Sequence, residues 1–170
     1  MKRLKLSLYF CLLIHAQVSV AQTCNPNIIT DAPDSRYIAN ADGTVVDKKT
    51  ALIWMRCALG QTWDNGTCTG FAQPYTWQSA LQSAESAVFA GLNDWRLPNQ
   101  KELQSLVESR CSNPAINLTV FPNATGDFFW SSSPVAHYSD GAWVVYFSLG
   151  YGNWGYKHDG GYVRLVRSEQ

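Results

Sequence analysis

The residue types that most often carry chemistry are sparse here and poorly spaced for it. Beyond the first 21 residues the histidines are His137 and His158, and neither has a partner at the helical or hairpin spacing of a metal site. Ser131, Ser132 and Ser133 with His137 and Asp140 supply the residue types of a hydrolase triad. There is no Gly-x-Ser-x-Gly elbow, however, and Ser131 falls in a strand-like run. Glu85, Glu102 and Glu108 lie on predicted helices among polar neighbours, the pattern of solvated faces rather than acid–base work. Arg96, between Trp95 and Leu97, needs a partner if it is buried, which predicts an ion pair or a backbone clamp. The expectation is a protein that is not an enzyme, with no metal and no cofactor.

Recognition chemistry is denser. Residues 137–161 alternate aromatic or polar side chains with glycines. Tyr and Trp bring large contact area at low rotamer cost, and Ser, Gly and Asn adapt their hydrogen bonding, as in binding loops. The candidate ligand-binding residues are His137, Tyr138, Ser139, Asp140, Tyr146, Ser148, Tyr151, Asn153, Trp154, Tyr156, His158 and Asp159. Trp143, Val145 and Phe147 share one strand parity, and Val144 and Tyr146 the other. The stretch from Tyr151 to Asp159 holds too many glycines for a central strand, so some of its aromatics must be exposed.

The elements that position this region begin with an expected leader. Lys2, Arg3 and Lys5 precede an apolar run from Leu6 to Ile14, and Ser19-Val20-Ala21 offers a cleavage point, the layout of a signal peptide over residues 1–21. The run is too short to span a hydrocarbon core of about 30 Å, so no membrane span is expected in the mature chain. Loss of the leader leaves 149 residues, the size of one domain. It also leaves ten basic residues against thirteen acidic, a net of −3 with no electrostatic claim on nucleic acid. Cys24, Cys57, Cys68 and Cys111 remain, an even count that reads as two disulfides in an exported chain. Of the three pairings, Cys57–Cys68 is favoured because it closes a polar, Gly-containing loop, which leaves Cys24 with Cys111. A four-thiolate zinc site is disfavoured by the absence of any Cys-x-x-Cys.

An N-terminal arm over residues 22–36 leads into strands at 37–39, 44–46 and 51–55, with Asp42-Gly43 as a hairpin turn. Trp77, Leu81, Ala84 and Val88 recur at helical spacing behind Thr76 as a cap. Asn99 and Glu102 form a capping-box pair opening a second helix, with Leu103, Leu106 and Val107 as its stripe and an end near Cys111. Runs at 128–131, 142–147 and 162–167 read as strands again. The fold class is α+β.

Asp42-Gly43-Thr44-Val45-Val46-Asp47, Leu52-Ile53-Trp54-Met55-Arg56-Cys57, Asn93-Asp94-Trp95-Arg96-Leu97-Pro98-Asn99, Phe129-Trp130-Ser131-Ser132-Ser133-Pro134 and Tyr162-Val163-Arg164-Leu165-Val166-Arg167 together resemble the Lcl C-terminal domain family, named after a collagen-like adhesin. The domain so identified covers residues 37–170. The resemblance implies a C-type-lectin-like fold with two helices, a twisted antiparallel β-sheet and a ligand face built by the C-terminal loops. The calcium motifs of sugar-binding C-type lectins are missing, and no cysteine after Cys111 could serve the chemistry of the related formylglycine-generating enzymes. Some members of the resembled family are diversified by retroelements that randomise adenines in template codons. Apart from Trp154, the candidate ligand-binding residues belong to the set reachable from an AAC codon. The function expected is ligand recognition or adhesion toward a protein or glycan, in the periplasm, at the cell surface or outside the cell. The rival is an assembly subunit, including a homo-oligomer, whose aromatic face is buried against a partner.

Overall fold

The computed structural model describes residues 21–168, so the leader expectation lies almost wholly outside the described residues. Thirteen elements follow in order: β1 (Thr23–Cys24), β2 (Tyr37–Ala39), β3 (Thr44–Asp47), β4 (Leu52–Met55), β5 (Thr62–Asp64), β6 (Thr67–Thr69), α1 (Trp77–Glu85), α2 (Gln100–Gln104), β7 (Cys111–Ser112), β8 (Phe128–Pro134), β9 (Gly141–Tyr146), β10 (Tyr151–Tyr156) and β11 (Val166–Ser168). They form a four-stranded antiparallel sheet in the order β11-β4-β3-β2, a three-stranded antiparallel sheet β10-β9-β8, and the pairs β1-β7 and β5-β6. This is the expected mixture of two helices with antiparallel strands. No helix among the described residues is long and apolar enough to cross a membrane.

The β2–β3 turn follows the Asp42-Gly43 signal. Asp42 Oδ1 accepts the Thr44 N–H at 2.9 Å, and Gly43 sits at φ +86° with the Trp63 ring so close that a Cβ would lie 2.5 Å from it. Both the left-handed backbone and the close approach require glycine.

Alternation in β8 and β9 divides the core in two. Phe129 and Val145 point into a cluster with Leu103, Leu106, Phe121 and Phe147, under α2. Trp130, Ala142 and Val144 point the other way, into a cluster with Ala80, Ala84, Trp95 and Leu97, under α1. The three-stranded sheet is thus the middle layer, covered on both faces except at its β10 edge.

Residues 162–167 were expected to form one strand, but only Val166–Ser168 pairs regularly, with β4. The preceding backbone distributes its hydrogen bonds among separate segments: Gly161 bonds with Tyr75, Tyr162 with Phe128 and Trp130, Val163 O accepts from Leu59, and Leu165 O accepts from Met55. The segment ties the two sheets together without forming a single ladder. Arg164 stands fully buried here. Its Nη1 donates to the Met55 and Arg56 carbonyls, and its guanidinium lies 4.8 Å from the Phe121 ring centroid.

Both helices are shorter than their apolar stripes suggest. α1 stops at Glu85, and Val88 is 74 % exposed, because Phe89 and Leu92 pair across a turn built by Ala90 and Gly91 at positive φ. α2 has the predicted capping box but ends at Gln104, and the Leu106 and Val107 N–H groups bond three residues back in tight turns. Those turns carry Glu108 inward, which corrects its assignment to a solvated helix face. It is buried and accepts from Thr30 Oγ1, the Ala32 N–H and the Asp31 N–H, so it anchors the N-terminal arm. Cys24–Cys111 fastens the same arm, and Cys57–Cys68 closes the β5–β6 loop, the pairing favoured from sequence.

Candidate functional site

The β9–β10 hairpin places Tyr151 opposite Tyr146, Trp154 opposite Trp143, and Tyr156 opposite Gly141. Alternation then sorts the candidate residues onto two faces. Trp154 and Tyr156 project from one face of β10, where Tyr138 arrives from the β8–β9 connection. The three rings contact one another edge-on, with centroids 5.2 Å (Tyr138–Trp154), 6.0 Å (Tyr138–Tyr156) and 5.2 Å (Trp154–Tyr156) apart. All three are about two-fifths exposed. His158 extends the group, stacked on Tyr156 at 5.3 Å.

The connection carrying Tyr138 is held by local bonds. Tyr138 N–H donates to Val135 O, and Gly141 N–H to Tyr138 O. Lys157 donates its backbone N–H to Asp140 O at 2.8 Å and its Nζ to Ser139 O at 2.6 Å. His137, Ser139 and Asp140 are therefore exposed beside the ring cluster. Desolvation among the rings, followed by Tyr156 and the negative charge of Asp140, pushes the Tyr138 phenol above its ordinary pKa.

Tyr146 and Tyr151 lie on the opposite face, stacked at 5.1 Å with 10° between planes, and Phe128 sits behind Tyr146 at 5.4 Å. Desolvation, then Tyr151 and Asp159, raises the Tyr146 phenol. Asn153 shares the strand parity of Tyr151, and its Oδ1 accepts the Trp154 N–H. Ser148 stands apart, half-buried in the turn at the far end of the hairpin, where its carbonyl accepts from Asn113. Of the twelve candidates, Tyr138, Trp154, Tyr156 and His158 form the main cluster, and His137, Ser139 and Asp140 lie on the loop that carries Tyr138. Tyr146 and Tyr151 pair on the reverse face, on the side of Asn153. Half-buried Asp159 has its Oδ1 3.7 Å from His158 Nε2, and Ser148 is an outlier.

Two contributors escape the sequence reading. Trp77, read there only as part of the apolar spacing of the first helix, is partly buried, with Lys157 Nζ 4.4 Å from its ring centroid. Together with Thr76, Gln78, Leu81 and His158 they line an open cavity of about 440 Å³, which shares His158 with the ring cluster. Trp77 and Lys157 are eighty positions apart, joined by the Trp77 N–H to Lys157 O bond, so no local pattern could have announced the pair.

The hydrolase arrangement is absent from this geometry. Ser131 is buried and its hydroxyl donates to Trp143 O at 2.7 Å, a structural bond across the sheet, while His137 is exposed on the loop. Arg96 forms a two-pronged pair with Glu102 at 2.8 and 2.7 Å, fixing the start of α2 as the ion-pair expectation had it.

No curated protein matches the chain. A family model described as the Lcl C-terminal domain matches residues 43–167, a span that contains both sheets' principal strands, both helices and the ring cluster. With that match covering well over half its length, the chain belongs to the Lcl C-terminal domain family.

Proposed function

We propose that this is an exported, non-enzymatic recognition domain of C-type-lectin-like fold, which binds a protein or glycan through Tyr138, Trp154, Tyr156 and His158. The observation that carries the reading is the cluster of interlocking, partly exposed rings on a rigid hairpin. Aromatic side chains grouped at a surface and held by a scaffold are the composition of interface hot spots. The polar groups around them, Ser139, Asp140 and the cavity-lining Lys157 and Gln78, supply adaptable hydrogen bonding. Two disulfides agree with a periplasmic, cell-surface or extracellular location. On this reading, retroelement diversification would act on the same stretch.

Binding of the purified protein to glycan and protein arrays tests the reading. Serine at Tyr138, Trp154 and Tyr156 together should abolish binding to whatever the wild type retains, with melting nearly unchanged, because exposed side chains contribute little to folding. Serine at Tyr146 and Tyr151 should leave binding largely intact. The reverse pattern would place the ligand on the other face, and no change from either variant would refute recognition by this hairpin.

A further inference from the structure

β10 is the open edge of the three-stranded sheet. The Lys157 N–H to Asp140 O bond fixes the alternation, so residues 151, 153 and 155 bond to β9 and the backbone groups of Gly152, Trp154 and Tyr156 face outward. Natural edge strands are usually protected by charge, proline or a bulge. Tyr151–Tyr156 has none of these, and its one shield is the Asn153 side chain on the Trp154 N–H. Among the described residues, five of the ten exposed large hydrophobic side chains, Tyr138, Leu149, Tyr151, Trp154 and Tyr156, lie on this edge or in the turns beside it.

We propose that β10 pairs antiparallel with β10 of a second copy about a two-fold axis at Asn153, making one continuous six-stranded sheet. In that register Trp154 lies opposite Gly152 of the second copy and Tyr151 opposite Gly155, so each large side chain meets a glycine. Gly155 is already explained within one copy, since a Cβ there would crowd Trp130 at 3.3 Å. Gly152 is constrained only by side-chain amides: the nearest atoms to a Cβ are Gln104 Oε1 at 3.1 Å and Gln100 Nε2 at 3.2 Å, and its φ is not left-handed. The Gln104 amide is itself held, its Nε2–H donating to Gly150 O at 3.0 Å. Glycine in a strand marks a close approach by another group. Gln100 and Gln104, with Lys101 and Ser105, also border an open depression of about 410 Å³ on α2. Trp154 of the second copy fills it, with its ring over Gly152. Trp154, Tyr151 and the edge backbone of two copies make a contact at the small end of interfaces, below about 1,200 Å² in all, the size of a weak, reversible complex. This goes beyond ligand recognition: the pairing takes Trp154 into the contact between copies and leaves Tyr138, Tyr156 and His158 of each copy facing a ligand.

Sedimentation velocity on the disulfide-intact protein should show a dimer that dissociates on dilution. Gly152→Leu, which occupies the seat of Trp154, should weaken dimerisation at least tenfold while leaving the melting temperature of the monomer unchanged. Asn153→Cys should become a disulfide-linked dimer under mild oxidation, since residues on the axis form a non-hydrogen-bonded pair about 4.5 Å apart. Trp154→Cys, also at an exposed position, should cross-link far more slowly. A protein monomeric at every concentration, a dimer indifferent to Gly152→Leu, or equal cross-linking at both positions would overturn the proposal. None of these readouts depends on ligand, so ligand recognition stands or falls separately.

Discussion

Asp47 shows how single residues hold this small domain. It is fully buried, paired with Arg36 through both carboxylate oxygens, and accepts the Thr50 hydroxyl at 2.7 Å and the Lys49 N–H at 3.0 Å. Burial alone would raise its pKa. Bonds from Arg36, Thr50 and Lys49 outweigh that and hold the carboxyl below its usual range. A folded-state pKa below the unfolded one means that the stabilisation is complete above about pH 4 and is lost as pH falls through the folded value. Glu102, desolvated but bonded to Arg96 and Asn99, moves in the same direction from a more exposed position. Asp47→Ala leaves the Arg36 charge buried without its partner and should cost roughly 3–5 kcal/mol at neutral pH. Urea unfolding measured from pH 7 to pH 2 checks this, with the loss in acid expected to be shallower in the variant than in the wild type. A parallel profile would show that Asp47 is not the titrating anchor.

At the scale of elements, what was legible in the sequence is what depends on nearest neighbours. The β2–β3 hairpin, the capping box at Asn99 and the parities of β9 could be read because turn chemistry, caps and alternation are local. The ends of the helices could not, since Val88 and Leu106 keep the helical period while distant packing decides that the chain turns away. The site behaved likewise. Composition located the hairpin, but only the register with β9 separates Trp154 and Tyr156 from Tyr151, and only the fold brings Trp77 beneath Lys157. The disulfides test how far separate elements rely on each other. Chain-entropy reasoning assigns about 3 kcal/mol to Cys57–Cys68, eleven positions apart, and about 4.5 kcal/mol to Cys24–Cys111, eighty-seven apart. Replacing both cysteines of each pair with serine should therefore lower the melting temperature more for the arm bridge than for the β5–β6 loop, as calorimetry would show. The opposite order would mean that Glu108 and the β1–β7 pairing hold the arm without its bridge.

Across the whole molecule, tryptophans of one chemistry serve two purposes, and the middle sheet decides which. Trp130 points into the layer under α1, wholly buried, with its Nε1–H donating to Tyr75 O and its ring against Gly155. Trp154, on the adjoining hairpin, points outward from the other face of the same sheet and is 41 % exposed. Removing the first opens a cavity between the two sheets and takes one of two donors from the Tyr75 carbonyl, which keeps the Gly161 N–H, so Trp130→Ala should cost roughly 3–5 kcal/mol and lower the yield of folded protein. Removing the second takes away contact area that water already reaches, and Trp154→Ala should change stability by less than about 0.5 kcal/mol. Denaturant titrations of the two variants at a protein concentration low enough to keep the chains monomeric make the comparison. A large loss for Trp154→Ala under those conditions would mean that the ring cluster belongs to the core of one copy. It could then serve neither as a ligand face nor as the edge that a second copy pairs with.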